Sequence, residues 1–303
     1  MQTERAVFVN LGAYLRALRP HQWSKNILVF APLVAGHATG RDELIATCIA
    51  FVSFSLCASS AYLLNDMIDM PNDRLHPTKR FRPLAAGAFP ISHASVLMLL
   101  LLVGALATAA ALPMAFRVIV VGYLGTTLIY SFFIKRLLIL DVVTLGLLYT
   151  IRVLAGSAAT GMLLSPWLFA FAMFFFLYLA FVKRQAELLD SRAHEGTLRG
   201  RSYQAQDLPV LTALGAASGY VSILIMALYI SSENVTVLYQ VPEGLWVLCI
   251  LLLYWISRTT VITARGEMHE DPVVFALKDK TSLIIGAIGG IVLVICSTVP
   301  RPG

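Results

Sequence analysis

The chain has 303 residues, 58% of them hydrophobic and 13% charged, with a formal charge of +6. A soluble domain carries roughly a quarter charged residues, so water cannot be the solvent for most of this surface. A soluble globular protein is excluded, and a single membrane-embedded helical domain over residues 1–303 is expected.

Residues 1–20 form a polar lead. Within it Leu11, Tyr14, Leu15 and Leu18 recur at helical spacing, with Arg16 and Arg19 off the stripe. That pattern predicts an N-terminal segment lying in the membrane interface or packed beneath the bundle. The run 22–37, which carries Lys25 and Asn26, reads as a first span. It is not expected to be a cleaved signal peptide, because a polar lead precedes it and no small-residue cleavage site follows. Crossing the hydrocarbon takes about 20 helical residues. The runs 44–64, 91–111, 114–133, 138–160, 167–181, 208–231, 245–264 and 281–299 meet or nearly meet that length, which makes nine spans. Leu112 and Pro113 read as a tight turn between two of them.

With nine spans and the N-terminus inside, 19 of the 23 basic residues fall in cytoplasmic segments. Arg41, Arg117 and Arg301 lie on the other side, and Arg152 lies within a span. The positive-inside bias therefore sets the orientation, and clustering at loop ends argues against a nucleic-acid partner. Cys48, Cys57, Cys249 and Cys296 all sit inside spans without ligand spacing and read as buried small apolar side chains.

The second long run ends in Asn65-Asp66-Met67-Ile68-Asp69-Met70-Pro71-Asn72-Asp73. If the helix continues, Asp66, Asp69 and Asp73 recur at three and four and share a face. Like charges at a membrane edge repel, so a cation is expected among them. Oxygen-only ligands suggest magnesium, which binds through a few carboxylates plus substrate phosphates. Pro71 is expected to kink the helix or end it. The next loop, His76-Pro77-Thr78-Lys79-Arg80-Phe81-Arg82-Pro83, places Lys79, Arg80 and Arg82 beside the acids. The two signs suit a metal-bridged diphosphate, although a basic patch drawn to anionic lipid is the plainer reading of the loop alone. Lys183, Arg184, Glu187 and Asp190 close the sixth span as a second charged cluster, for which helix-end ion pairs from Glu187 to Lys183 and Arg184 are the lesser reading. Arg152, mid-span, is expected to line a cavity.

The acidic run resembles the first diphosphate motif of the intramembrane UbiA-type prenyltransferase superfamily. The resemblance implies an all-α integral membrane fold: a nine-transmembrane-helix bundle with a central cavity under cytoplasmic cap loops. Arg19-Pro20-His21-Gln22-Trp23-Ser24-Lys25-Asn26 is similar to the opening of one branch, the decaprenyl-phosphate 5-phosphoribosyltransferases. So are the segment around His76 to Pro83, Ile151-Arg152 through Gly156, Lys183-Arg184 through Leu188, and Ala276-Leu277-Lys278-Asp279. Aromatic prenyltransferases of the superfamily carry a second acidic motif after the sixth span, where this chain holds Lys183, Arg184 and Glu187.

The branch resemblance implies transfer of 5-phosphoribose from 5-phosphoribosyl-1-diphosphate to a polyprenyl phosphate, with Mg2+, in a bacterial inner membrane. On that reading Asp66, Asp69 and Asp73, helped by Asn65, hold the metal, and Lys79, Arg80 and Arg82 share the diphosphate. Lys183 and Arg184 meet the ribose 5-phosphate, and Glu187 meets sugar hydroxyls or a second metal. Lys25, Asn26 and Arg152 guide the lipid phosphate. Membrane lipids are the other expected partners, and a homo-oligomer is left open. Two alternatives stand beside it: prenyl transfer to an aromatic acceptor, and an ion-coupled transporter. The second is disfavoured because its ion sites belong near the midplane.

Overall fold

Lipid offers the backbone no hydrogen-bond partner, so apolar segments of this length close their bonds internally as helices. The computed structural model describes residues 11–38, 40–75, 79–88, 90–194, 202–233, 235–268 and 271–298. Every element among them is helical. The described residues open with α1 (Leu11–Ala17), a 3-10 helix (Pro20–Phe30) and α2 (Ala31–Ala35). Then come α3 (Arg41–Leu75), α4 (Ile91–Ala110), α5 (Met114–Phe132), α6 (Leu140–Thr160), α7 (Pro166–His194) and α8 (Leu208–Ile230). The short α9 (Val235–Leu238) precedes α10 (Trp246–Ala264), and the short α11 (Pro272–Lys278) precedes α12 (Lys280–Thr298).

Eight helices among the described residues are long and apolar enough to span a membrane. The first of the nine expected spans is built differently. Pro20 opens it and Pro32 follows, and the result is 11 residues of 3-10 helix and five of α-helix. A 3-10 helix rises about 2 Å per residue and an α-helix about 1.5 Å. The short segment therefore reaches about 30 Å, roughly the hydrocarbon thickness.

Consecutive long helices pack side by side from α3 round to α8, then α10 and α12. The apolar windows of α3 and α6 are 56% and 61% buried, against 11% for α12, so α3 and α6 form the centre and α12 the rim. Small residues let α4 close on α3: Ala105 and Ala109 are buried, and the Ser53 hydroxyl donates to the Ala105 carbonyl at 2.9 Å. Phe54 meets Phe116 edge-on at 5.9 Å between ring centres, which joins α5 to the same core. At the tight turn, Arg117 donates to the carbonyls of Leu112 (2.9 Å) and Ala110 (2.8 Å). It thereby satisfies acceptors that the end of α4 leaves open.

Helix α3 continues through Pro71 to Leu75, so the proline does not end it. Proline has no N–H, so the Met67 carbonyl loses its usual donor inside the acidic motif itself. In α1 the buried face consists of Ala13 and Ala17, while Leu15 is 52% exposed. The small alanines, four apart, allow the close approach, and Ala17 packs with Leu63 and Ala94.

A candidate anion site strung along a 3-10 helix

Residues three apart in a 3-10 helix lie over one another, and the opening segment uses that repeat on two edges. Along one, Trp23 donates from its indole nitrogen to Ser59 Oγ at 2.9 Å, and Asn26 donates to Ser55 Oγ at 3.1 Å. Ser55 and Ser59 are one turn apart on α3, so this edge zips the segment to the central helix. The other edge carries Gln22 and Lys25, with Arg19 just before it. Gln22 accepts from the Tyr62 hydroxyl at 3.3 Å, and Lys25 reaches Asp271 at 2.7 Å. Arg19 pairs with Asp66 and lies over the Tyr62 ring at 5.2 Å. Its backbone is left-handed, φ 52°, a conformation an L side chain takes only when its surroundings impose it.

The acidic motif separates according to helical geometry. Seven residues advance about 700°, so Asp73 returns to within about 20° of Asp66, whereas Asp69 stands about 60° to one side. Asp66 and Asp73 are buried, and one guanidinium nitrogen of Arg82 serves both, at 3.3 Å and 2.6 Å. Asp69 is 36% exposed and turns to Lys135 at 3.2 Å. Asn65 is half-buried beside them, and Arg80 is exposed with its guanidinium over Phe81. The side chain of Lys79, like the whole of His76, Pro77 and Thr78, lies outside the described residues. Arg16, Arg19, His21, Gln22, Asp66 and Arg82 line a cavity of ≈ 680 Å³ at this end of the bundle.

A second cluster lies around Tyr149 of α6. Asp271, just ahead of α11, accepts from Lys25 at 2.7 Å and from Lys183 of α7 at 3.2 Å. The Tyr149 hydroxyl points at the same carboxylate from 3.4 Å, and the Val273 amide caps it at 3.1 Å. Burial would raise the Asp271 pKa, but Lys183 and Lys25 outweigh it and hold the carboxyl well below the usual range. Arg152 is 5% exposed. It donates to Asn26 Oδ1 and the Tyr123 hydroxyl, both at 2.9 Å, and to the Leu148 carbonyl. Its guanidinium also lies 5.6 Å from the centre of the Tyr149 ring.

Lys183 and Arg184 are neighbours with different surroundings. The Arg184 side chain is fully buried, 2.7 Å from Asp141 and paired with Glu187. Tyr203 donates to the same Asp141. This arrangement ties α7 to α6 and leaves Arg184 no solvent-facing edge. Lys25 and Lys183, by contrast, converge although they come from opposite ends of the chain's first two-thirds.

Asp271, Tyr149, Tyr123 and Lys135 escaped the sequence reading. Asp271 followed by Pro272 is a recognisable helix start, but nothing local says that the start faces two lysines. Tyr123 and Tyr149 look like ordinary apolar-face residues of their spans.

A model of the UbiA prenyltransferase family matches residues 27–296. The chain belongs to this family. Among its relatives is a protein called y4nM from Sinorhizobium fredii, 40% identical over 91% of this chain; the chain spans 54% of that protein's length. Nodulation protein NoeC from Azorhizobium caulinodans is 34% identical over 97% of both chains. Decaprenyl-phosphate phosphoribosyltransferase from Mycolicibacterium smegmatis is 32% identical over 92% of both. A UbiA homolog from Archaeoglobus fulgidus, solved with GPP and Mg2+, superposes with a TM-score of 0.69. It covers 93% of this chain and 97% of its own, and at 19% identity the likeness is one of fold.

The chemistry of the acidic motif can be tested against magnesium, a hard cation that takes oxygen ligands. No group of three or more His, Cys, Asp or Glu is placed to hold a metal among the described residues. Yet Asp66 and Asp73 already share a single cationic atom of Arg82. Two carboxylates plus phosphate oxygens are what magnesium ordinarily takes from a protein and its substrate, so the residues fit the ion.

Proposed function

We propose that this family member transfers 5-phosphoribose from 5-phosphoribosyl-1-diphosphate to a polyprenyl phosphate, releasing diphosphate, with its charged end toward the cytoplasm. The observation that carries the reading is the charge of the second cluster. Lys25, Lys183 and Arg152 gather around Tyr149 with Asp271 as the carboxylate among them. A second metal site would need more acids, whereas a phosphate-bearing sugar and a phosphate-bearing lipid need cations. The likeness over nearly the full chain to a decaprenyl-phosphate phosphoribosyltransferase supports the same reading.

Asp66 and Asp73, with Asp69 and Asn65 beside them, would hold magnesium, which supplies charge neutralisation to the departing diphosphate. Arg19 and Arg82 share those carboxylates and are placed to turn toward diphosphate oxygens, with Lys79 and Arg80 on the same loop. Asn26 and Arg152 would orient the lipid phosphate. Lys183 would meet the ribose 5-phosphate and Glu187 the sugar hydroxyls, and Lys25 stands between the two groups. Arg184 would act by fixing α7 against α6 rather than by touching substrate.

In the reaction an oxygen of the lipid phosphate forms a bond to C1 of the ribose. The bond from C1 to the diphosphate oxygen breaks, and its electron pair leaves with diphosphate. No general base is required, because a phosphate monoester has its second pKa at about 6 and is already anionic at pH 7.

Incubating purified protein in detergent with labelled 5-phosphoribosyl-1-diphosphate, a polyprenyl phosphate and magnesium should yield a labelled lipid. Prenyl transfer from geranyl diphosphate to 4-hydroxybenzoate, with no labelled phosphoribosyl lipid, would replace this reading by that of an aromatic prenyltransferase.

A further inference from the structure

Around Tyr149 the charges do not balance. Arg152 is buried in the middle of a span, and its partners are an amide, a carbonyl, a phenol and two aromatic rings. No carboxylate lies within ion-pair distance of it among the described residues. Lys25 and Lys183 share the one carboxylate of Asp271, and Lys25 is 5.6 Å from the centre of the Tyr149 ring. Glu187, one turn beyond Lys183, is engaged by Arg184. Lys25 and Lys183 thus divide one carboxylate between them, and Arg152 has none. An uncompensated charge in a membrane-embedded core is strongly unfavourable, so the arrangement is built around a further anion. The two ammonium groups of Lys25 and Lys183, once parted from Asp271, match a phosphate monoester, which carries about −1.5 to −2 at pH 7.

Asp271 bears on how that anion binds. Its carboxylate presents two oxygens to two ammonium groups and a phenol, the same donors a phosphate would use. It sits on the short connection ahead of the seven-residue α11, not on a long helix. We propose that Lys25 and Lys183 beside Tyr149 form a phosphate-monoester subsite in which Asp271 is an internal counter-ion that the ligand's phosphate displaces. The inference depends on the transferase reading only for which monoester is meant, a sugar phosphate or a lipid phosphate.

A competitor that is part of the protein lowers apparent affinity by the fraction of time it occupies the site. Removing its charge should therefore tighten binding, which is the opposite of what losing a structural contact does. The experiment is calorimetry in detergent without magnesium, using ribose 5-phosphate and farnesyl phosphate, with ribose and farnesol as uncharged controls. Asp271→Asn should lower the dissociation constant of at least one monoester about tenfold, and Lys183→Met should raise it. The monoester that responds identifies the source of the phosphate. Unchanged or weaker binding in folded Asp271→Asn overturns the displacement. Unchanged monoester binding in Lys183→Met overturns the subsite, and this variant decides the question if Asp271→Asn does not fold. The transferase reading fails separately: monoester binding that behaves as described, with no phosphoribosyl transfer, leaves the subsite standing and removes the reaction.

Discussion

Lys183 and Arg184 are adjacent in α7, yet Lys183 faces Asp271 at 3.2 Å while Arg184 faces Asp141 at 2.7 Å. One helical step of about 100° separates a side chain that is 27% exposed from one fully buried between helices. Their substitutions should therefore fail in different ways.

Arg184→Ala leaves Asp141 buried without its cation, and breaking a buried pair typically destabilises by about 3–5 kcal/mol. The melting temperature in detergent should fall sharply. Lys183→Ala should melt close to wild type but lose roughly ten- to a hundredfold in affinity for 5-phosphoribosyl-1-diphosphate, as for a lost charge-assisted contact. Equal melting temperatures for the two variants would contradict the separation.

The acidic motif predicts a graded series. Asp66→Asn and Asp73→Asn each remove one of the two buried carboxylates that share a cationic atom, and both should abolish magnesium-dependent turnover while leaving the protein extractable in detergent. Asp69→Asn alters a carboxylate that faces Lys135 at 3.2 Å and is 36% exposed, so it should retain measurable turnover. Activity of Asp66→Asn in excess chelator would remove the metal from the site.

What the sequence disclosed follows the range of each interaction. The pairing of Asp66 with Asp73 is helical periodicity, and the long apolar runs were visible for the same local reason. Asp271 was not legible as a site residue, because its contact with Lys25 joins positions 246 apart in the chain. Only the folding of α11 back over the opening segment brings them together. The 3-10 form of Pro20–Phe30 was hidden as well, since an apolar run reads the same whether its turn holds three residues or nearly four. It is this form that aligns Gln22 with Lys25 and Trp23 with Asn26.

Acid should expose a different anchor. Hydrogen bonding from Arg258 leads in holding the Asp279 carboxyl below its ordinary value of 3.8, with Ser282 contributing. Arg258 reaches both oxygens, at 2.7 and 3.0 Å, and the Ser282 amide donates at 2.8 Å. A depressed carboxyl stabilises the fold above its unfolded value, and this contribution fades as pH falls through the folded value. Melting temperatures of wild type and Asp279→Asn should therefore differ at pH 7 and converge below about pH 4, where the wild type also begins to protonate. A gap that stays constant down to pH 3 would mean the anchor acts without its charge.

Gly156 is a point of close approach between α6 and the opening segment. A Cβ built there would lie 1.9 Å from the Val29 carbonyl oxygen, 2.9 Å from the Val29 carbonyl carbon and 3.1 Å from the Pro32 ring. The first two neighbours are backbone, so no rotamer change relieves the overlap, and the 3-10 helix itself must move. That helix carries Asn26, three residues before Val29, and Asn26 accepts from Arg152, four residues before Gly156. Gly156→Ala should therefore do two things at once. Overpacking of this kind destabilises by about 1–3 kcal/mol, lowering the melting temperature. Displacing Asn26 should also raise the KM for the lipid phosphate more than that for 5-phosphoribosyl-1-diphosphate, since Asn26 is three residues from Val29 whereas Arg19, which meets Asp66, is ten. Gly122→Ala provides the control, because a Cβ there meets nothing within 4 Å and should leave both substrates unaffected. A Gly156→Ala protein with a wild-type melting temperature and unchanged KM values would show that α6 and the opening segment are not locked together at this crossing.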